Sequence, residues 1–381
     1  MKFPGKLILP SIFLVVIAAL FGFGGSVAQA QTTPDLSDKY YRAKVVKILE
    51  TGEKAVEDSQ TLKYQKLELQ ILNGDEKGKR VIIDHGATFV VSDSQMAQEG
   101  EQVIIAKTPE LPGGKSVYYI TDKYRLNNLI AIVLIFFATA IYFARKRGVT
   151  SIIGMLFSVF IIFYYIIPSI SKGANPFWVC LGGSVVILLV SLYFSHGFNK
   201  RTSLALVSSF ISLGLAAIIN ILFVSIAKLS GNGTEEVFYL QFANSSIDMR
   251  GLLLGGIIIG VLGVLDDVTT AQTAVVEEIS LANNSFGFQE LYKRGLSVGR
   301  EHISSLVNTL VLAYAGISLP LLLLYSSQKS QPIWMAVNSA FIAEEIVRTL
   351  VGSTVLVLAV PITTILAAWA YSRKNSLLLN R

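Results

Sequence analysis

The residues best suited to chemistry lie in one stretch, Gly251 to Glu278. An uncharged run from Gly251 to Leu265 ends in two adjacent aspartates, Asp266 and Asp267, followed by Thr269, Thr270, Gln272, Thr273, Glu277 and Glu278. If a helix continues through this run, Asp266, Thr269, Thr270, Thr273 and Glu277 fall at i, i+3, i+4, i+7 and i+11. They then form one polar stripe, with Asp267 and Glu278 to its side. Carboxylates beside hydroxyls suit protons or hard cations, which take oxygen ligands. A carboxylate at membrane depth must face a partner, water or an ion. The competing reading ends the membrane at Leu265 and makes Asp266 onward a solvated helix. The sequence leaves both open.

Two further polar groups accompany apolar runs. Arg300, Glu301 and His302 open one run, which also holds Asn308; Arg300 could pair with Asp266 or Asp267, and Asn308 could bond another helix. Glu344, Glu345 and Arg348 precede the last run, and Glu344 and Arg348 sit at i, i+4, a spacing that pairs charges on one face. Glu344 or Glu345 is the candidate outer counterpart of the Asp266 group, the alternative being a charged surface turn. Gly251/Gly255 and Gly256/Gly260 are two interleaved small-xxx-small pairs, which let a neighbouring helix backbone approach closely. Gly74 to Lys79 is one residue short of a P-loop and lacks its Ser/Thr, and no hydrolase or dinucleotide motif is present. One cysteine, Cys180, and three histidines are too few for a Cys/His metal cluster. No catalytic residue or cofactor is assigned, the metal question stays open, and an enzyme is the weaker expectation. A lipid-acting enzyme using Asp266, Asp267 and His302 is its only form.

The elements that would position these residues are membrane spans. The chain has 381 residues, 52% hydrophobic and only 15% charged, with a mean hydropathy of +0.57. Soluble domains carry about 25% charged residues, so a soluble enzyme and a disordered chain are both excluded. A span needs about 20 apolar residues. Candidates are Leu129–Ala144, Ser151–Ile167, Phe177–Phe194, Ser203–Ile226, Gly251–Leu265, Ile303–Tyr325 and Leu350–Tyr371, about seven in all. Basic residues set the orientation. Arg145-Lys146-Arg147, Lys200-Arg201, Lys293-Arg294, Arg300, Arg373-Lys374 and Arg381 fall on one side, against Lys172, Lys228, Arg250, Lys329 and Arg348 on the other. The richer side is expected to be cytoplasmic, and the net charge of +6 belongs there beside anionic lipid.

Residues 1–30 read as an export signal or an uncleaved anchor, with Lys2 and Lys6 before an apolar stretch and Ala28-Gln29-Ala30 as a cleavage site. Residues 31–122 show a hydrophobic period near two. Ala43–Leu49, Leu62–Leu72, Arg80–Ile83, Gln102–Ala106 and Val117–Thr121 are the expected strands, with Asn73-Gly74 and Gly113-Gly114 as turn signals. Five strands in this length suggest a small antiparallel extracytoplasmic barrel, with an OB-like arrangement as the candidate. It lacks an aromatic stacking platform, so nucleic acid is not an expected partner. Residues 123–381 form the multi-span membrane domain.

Gly260-Val-Leu-Gly263-Val-Leu-Asp266-Asp267-Val-Thr-Thr-Ala-Gln272 and Val298-Gly-Arg300-Glu-His-Ile-Ser-Ser-Leu-Val-Asn308, continuing to Pro320, resemble the YibE/F-like family of bacterial membrane proteins. The resemblance covers roughly 129–371 and implies an export segment, an outer domain and a multi-span half, without naming a substrate. The sequence thus leads to an α-helical polytopic protein of the cell membrane, permease- or exporter-like. Its candidate pathway residues are Asp266, Asp267, Thr270, Glu277, Arg300, Asn308 and Glu344. The alternative is a membrane-anchored scaffold or sensor whose outer domain binds a ligand or partner. Expected partners are the lipid bilayer and either a second membrane protein or another copy of the chain.

Overall fold

The computed structural model describes residues 38–56, 60–86, 91, 95–109, 116–327 and 332–379. The expected export segment and the Gly113-Gly114 turn lie outside the described residues. The chain divides into two compact units, Met1–Ala138 and Thr139–Arg381.

In the first unit, β1 (Lys39–Val56), β2 (Gln60–Ile71), β3 (Arg80–His85), β4 (Gln102–Lys107) and β5 (Tyr118–Lys123) pair antiparallel in the order β3-β2-β1-β4-β5. The end strands β3 and β5 approach each other, so the sheet curls into a half-barrel, as an OB-like arrangement would with one seam left open. Alternation explains the curl. Tyr41, Ala43, Val45, Leu67, Leu69, Ile71, Val81, Ile83, Val103, Ile105 and Ile120 all point inward and are buried together, because successive strand residues face opposite sides. Register shifts between Val45 and Lys47 and between Ile48 and Glu50 bend β1, as an unpaired extra residue does.

The β2–β3 connection is wider than a two-residue hairpin. Gly74 takes a φ of 76° beneath the Tyr41 ring, where a Cβ would lie 2.8 Å from that ring. The Arg42 amide donates to Asn73 Oδ1 at 2.6 Å, and the Tyr41 hydroxyl donates to Asp75 at 2.7 Å. Glu76 then accepts from Lys107 at 2.8 Å, from Lys79 at 3.2 Å and from the Tyr118 hydroxyl. The segment that resembles a broken P-loop is therefore a charged fastener joining a loop to β4 and β5. The Lys107 ammonium, with Tyr118, holds the Glu76 carboxyl down at about 2.

A carboxyl held below its unfolded value stabilises the fold above the ordinary glutamate range, and that contribution is lost as pH falls through the lower value. Glu76→Gln is expected to cost about 1 kcal/mol near neutral pH, discounted for solvent reaching the pair. It should also flatten the loss of stability between the normal glutamate value of 4.5 and about 2. Hydrogen exchange of the β1–β2 amides in the full chain, followed against pH, checks both effects.

The second unit is helical. α1 (Leu126–Ile161) begins in the first unit and runs through a π-turn (Ile162–Ile166) into α2 (Ile167–Ser171). There follow α3 (Pro176–His196), α4 (Lys200–Ile226), α5 (Glu235–Ala243), α6 (Met249–Ala282), α7 (Phe288–Ile317), α8 (Leu319–Ser327), α9 (Ile333–Val337) and α10 (Ala340–Leu379). Side-chain caps start three of them: Asn175 for α3, Asn199 for α4 and Thr234 for α5. Each oxygen accepts one of the first-turn amides that have no partner in the helix.

Among the described residues, five helical stretches are long and apolar enough to cross a membrane: Leu126–Ser171, Pro176–His196, Lys200–Ile226, Met249–Ala282 and Ala340–Ser372. Seven is therefore an approximate count, and the difference has two physical sources. Leu126–Ser171 contains both of the first two expected spans. Arg145 leaves helical geometry at φ 52° and ψ −127°, and a Cβ on Gly148 would collide with the Ala140 carbonyl. Residues eight apart in a straight helix stand about 12 Å apart along its axis, so the chain reverses here. The sixth expected span, Ile303–Tyr325, is instead divided between α7 and α8 at Ser318.

α6 is the centre of this unit and packs against α3, α4, α7 and α10. α10 in turn packs against α4 and α7. At 34 residues, α6 is about 51 Å long, well beyond the roughly 30 Å hydrocarbon core.

Candidate functional site

Asp266 lies past the midpoint of α6, beside α3. Its Oδ2 accepts from the Ser191 hydroxyl of α3 at 3.3 Å. Its other oxygen, Oδ1, is buried and has no hydrogen-bond partner among the described residues. Close approach of the segment after the Arg145 reversal contributes to this corner. A Cβ on Gly154 would meet Ser195 Oγ at 3.4 Å and Ser191 Oγ at 3.5 Å. The threonines that share the face are occupied locally: the Thr269 and Thr270 hydroxyls donate to the Asp266 carbonyl at 3.2 and 2.9 Å. Thr270 therefore braces the backbone under Asp266 and spends no proton on its carboxylate.

Below Asp266 the stripe is buried in protein. Thr269 and Ser209 of α4 share a hydrogen bond of 2.7 Å, and Thr273 donates to the Thr269 carbonyl at 2.7 Å. Gln272, 3% exposed, donates to the Gly295 carbonyl of α7 at 2.9 Å and to Thr364 Oγ1 of α10 at 2.7 Å. One amide thus ties three helices. Its space exists because α7 carries glycine there: a Cβ on Gly299 would stand 2.5 Å from Val360 and 3.1 Å from Gln272, and one on Gly295 would stand 2.8 Å from Val276. At the end of the stripe Glu277 reaches Arg201 of α4 at 3.7 Å, about 16 Å along the helix from Asp266.

The remaining expected residues lie elsewhere. Asp267 and Glu278 are exposed to the side of the stripe. Arg300 is exposed on α7, and no ion pair among the described residues joins it to Asp266 or Asp267; Asn308 is exposed as well. Glu344 is 4% exposed and accepts from the Gly233 amide in the α4–α5 connection at 3.1 Å. Arg348 pairs with Glu345 at 3.5 Å rather than with Glu344, which the glycine loop already holds. Of the four glycines singled out on α6, Gly255 has α3 closest, with Cys180 Sγ 2.7 Å and the Pro176 carbonyl 3.1 Å from a Cβ built there. Gly251 faces Asp248 and Pro176; among the described residues, Gly260 meets the Tyr314 hydroxyl alone, at 3.5 Å, and Gly256 has nothing within 4 Å.

Sequence reasoning missed Ser191, Ser209 and the Gly295/Gly299 pair. Each carried a signal: Ser191 and Ser195 repeat at i, i+4 in an apolar run, and Gly295-Leu-Ser-Val-Gly299 is a small-xxx-small pair in a polar setting. Among the described residues no group of three or more His, Cys, Asp or Glu is placed to hold a metal ion.

An antiparallel half-barrel, followed by long apolar helices gathered around one polar-striped helix, defines an integral membrane protein. The chain belongs to the YibE/F family. The family described as YibE/F-like protein matches residues 132–373, and the YibE/F family N-terminal domain matches residues 38–123. No curated protein and no solved structure matches the chain.

The packing carries a direct test. Gly255→Leu and Gly299→Leu should each destabilise by about 1–3 kcal/mol, the cost of overfilling a packed interior, whereas Gly256→Leu should be close to silent. Thermal melts of the purified protein in detergent separate the two classes.

Proposed function

We propose that this protein is a permease- or exporter-like membrane protein whose pathway follows the polar face of α6 from Asp266 to Glu277. The observation that carries the reading is the buried Asp266 Oδ1, which has no hydrogen-bond partner among the described residues. A purely structural carboxylate would have both oxygens satisfied, because an unmet buried polar atom costs free energy. A carboxylate that takes up and releases a proton or cation keeps one oxygen available. Several packed spans also exceed what an anchor requires. In this reading Asp266 is the loading group, Ser191 orients it, and Glu277 with Arg201 forms the cytoplasmic mouth. The half-barrel then lies outside the cytoplasm.

A second reading, a sensor, is favoured by one feature of the half-barrel. Where β3 and β5 approach, a cleft of about 80 Å³ is lined by His85, Gln95, Ile120, Asp122, Lys123 and Arg125. A ligand seated there would make the helices an anchor for the β domain.

Asp266→Asn keeps shape and removes charge. It is expected to lower complementation of a deletion strain by about tenfold or more in the scored phenotype, while expression and melting temperature stay close to the parent. Parental complementation by both Asp266→Asn and Asp267→Asn would turn the choice to the sensor. Orientation is tested separately in a Cys180→Ser background with an impermeant thiol reagent. Lys77→Cys, on an exposed loop of the half-barrel, should label in intact cells. Asn284→Cys, exposed between α6 and α7, should label only after permeabilisation.

A further inference from the structure

A cleft of about 200 Å³ lies where the end of α3, the start of α4 and the segment after the Arg145 reversal meet α6. Its walls include Arg147, His196, Asn199, Lys200, Arg201 and Glu277. Three permanently cationic side chains therefore share one small space with one carboxylate. Glu277 answers Arg201 at 3.7 Å. Lys200 is held in place by the Ala370 carbonyl at 2.6 Å and by the Tyr371 ring, 4.6 Å away.

Two electrostatic costs coincide at this spot. Like charges gathered around a cleft repel one another. The first turn of α4 also carries Lys200 and Arg201 and no acidic residue, although the helix dipole favours acids there. A dianionic or monoanionic oxyanion in the cleft would offset both. The space is below the 300–1,000 Å³ typical of drug-sized ligands and suits a single small group with a few waters. Guanidinium forks match the paired oxygens of such a group, and the Asn199 amide adds a neutral polar edge.

We propose that this cleft binds a phosphate group, carried either by a free phosphate-type anion or by the headgroup of an anionic phospholipid. The site stands whether the helices transport or anchor, because it draws on the cleft alone and its test measures binding rather than flux.

The test uses the full-length protein in two settings. In phosphatidylcholine nanodiscs, inorganic phosphate is titrated by calorimetry. In phosphate-free detergent, short-chain phosphatidylglycerol is titrated against short-chain phosphatidylcholine. Saturable binding of inorganic phosphate identifies a free anion as the occupant. Saturable binding of phosphatidylglycerol alone identifies a lipid headgroup. In either case the double variant Arg147→Gln/Arg201→Gln should weaken binding about tenfold or more, as loss of charge-assisted hydrogen bonds does. Glu277→Gln, which removes the competing carboxylate, should tighten it, and a misfolded variant cannot produce that gain. The proposal is overturned if neither probe saturates, if the arginine variant binds like the parent, or if Glu277→Gln fails to tighten binding.

Discussion

Everything in the helical unit follows from the demand that α6 be enclosed on several sides while carrying polar groups. In an apolar surrounding a polar side chain must find its partner inside the protein. The neighbours must therefore come close, and they do so by being small. α4 turns Ala205, Ser208, Ser209, Ser212 and Ala216 inward, all buried. α7 contributes Gly295 and Gly299, and α10 contributes Ala359, Thr363, Thr364, Ala367 and Ala368. Ser209 and Thr364 then become rungs between helices, and Gln272 can reach two neighbours at once. Leucine on any of these faces would widen the gap and strand the amide.

At the Asp266 corner one carboxylate oxygen is left without a hydrogen-bond donor among the described residues. Neutral atoms such as Ser212 Oγ and Asn220 Oδ1 share that condition, but Asp266 is an acid, so its unmet oxygen belongs to a group that can carry a charge or a proton. Six residues further along the helix, the Gln272 NH2 reaches two neighbouring helices. The half-barrel obeys a different economy. Its core is mostly apolar, a buried Gln65 exchanges two hydrogen bonds with the Ala97 backbone, and at the rim Asp75 and Glu76 fasten a loop to the strand edges.

What could be read in advance depended on local periodicity. Alternation in β2, from Leu67 through Leu69 to Ile71, marks both a strand and its buried face, and the i, i+4 spacing beneath Asp266 marks the stripe. Information that resides in a meeting of distant segments was not legible. No local feature of Ala340–Arg348 tells Glu344 to bond a glycine amide 111 residues earlier, so its i, i+4 partner looked like Arg348. Arg300 looked like a partner for Asp266 because the two charges are opposite, but α7 turns its glycine face toward α6 and Arg300 away. The chain reversal carries no proline, and its basic residues are good helix formers, so two spans were expected there with no sign of how tightly they join.

That reversal also bears on how the protein is made. Arg145, Lys146 and Arg147 occupy the bend, and moving three such charges through the bilayer centre would cost several kcal/mol apiece. The apolar segments before and after it have little linker between them with which to settle separately. They are committed to enter the membrane as one unit, with the charged apex kept out of the hydrocarbon core. This pair is synthesised before α3 and α4, the first two of the helices that pack against α6, so a membrane-embedded hairpin already stands upstream when the enclosure of α6 begins.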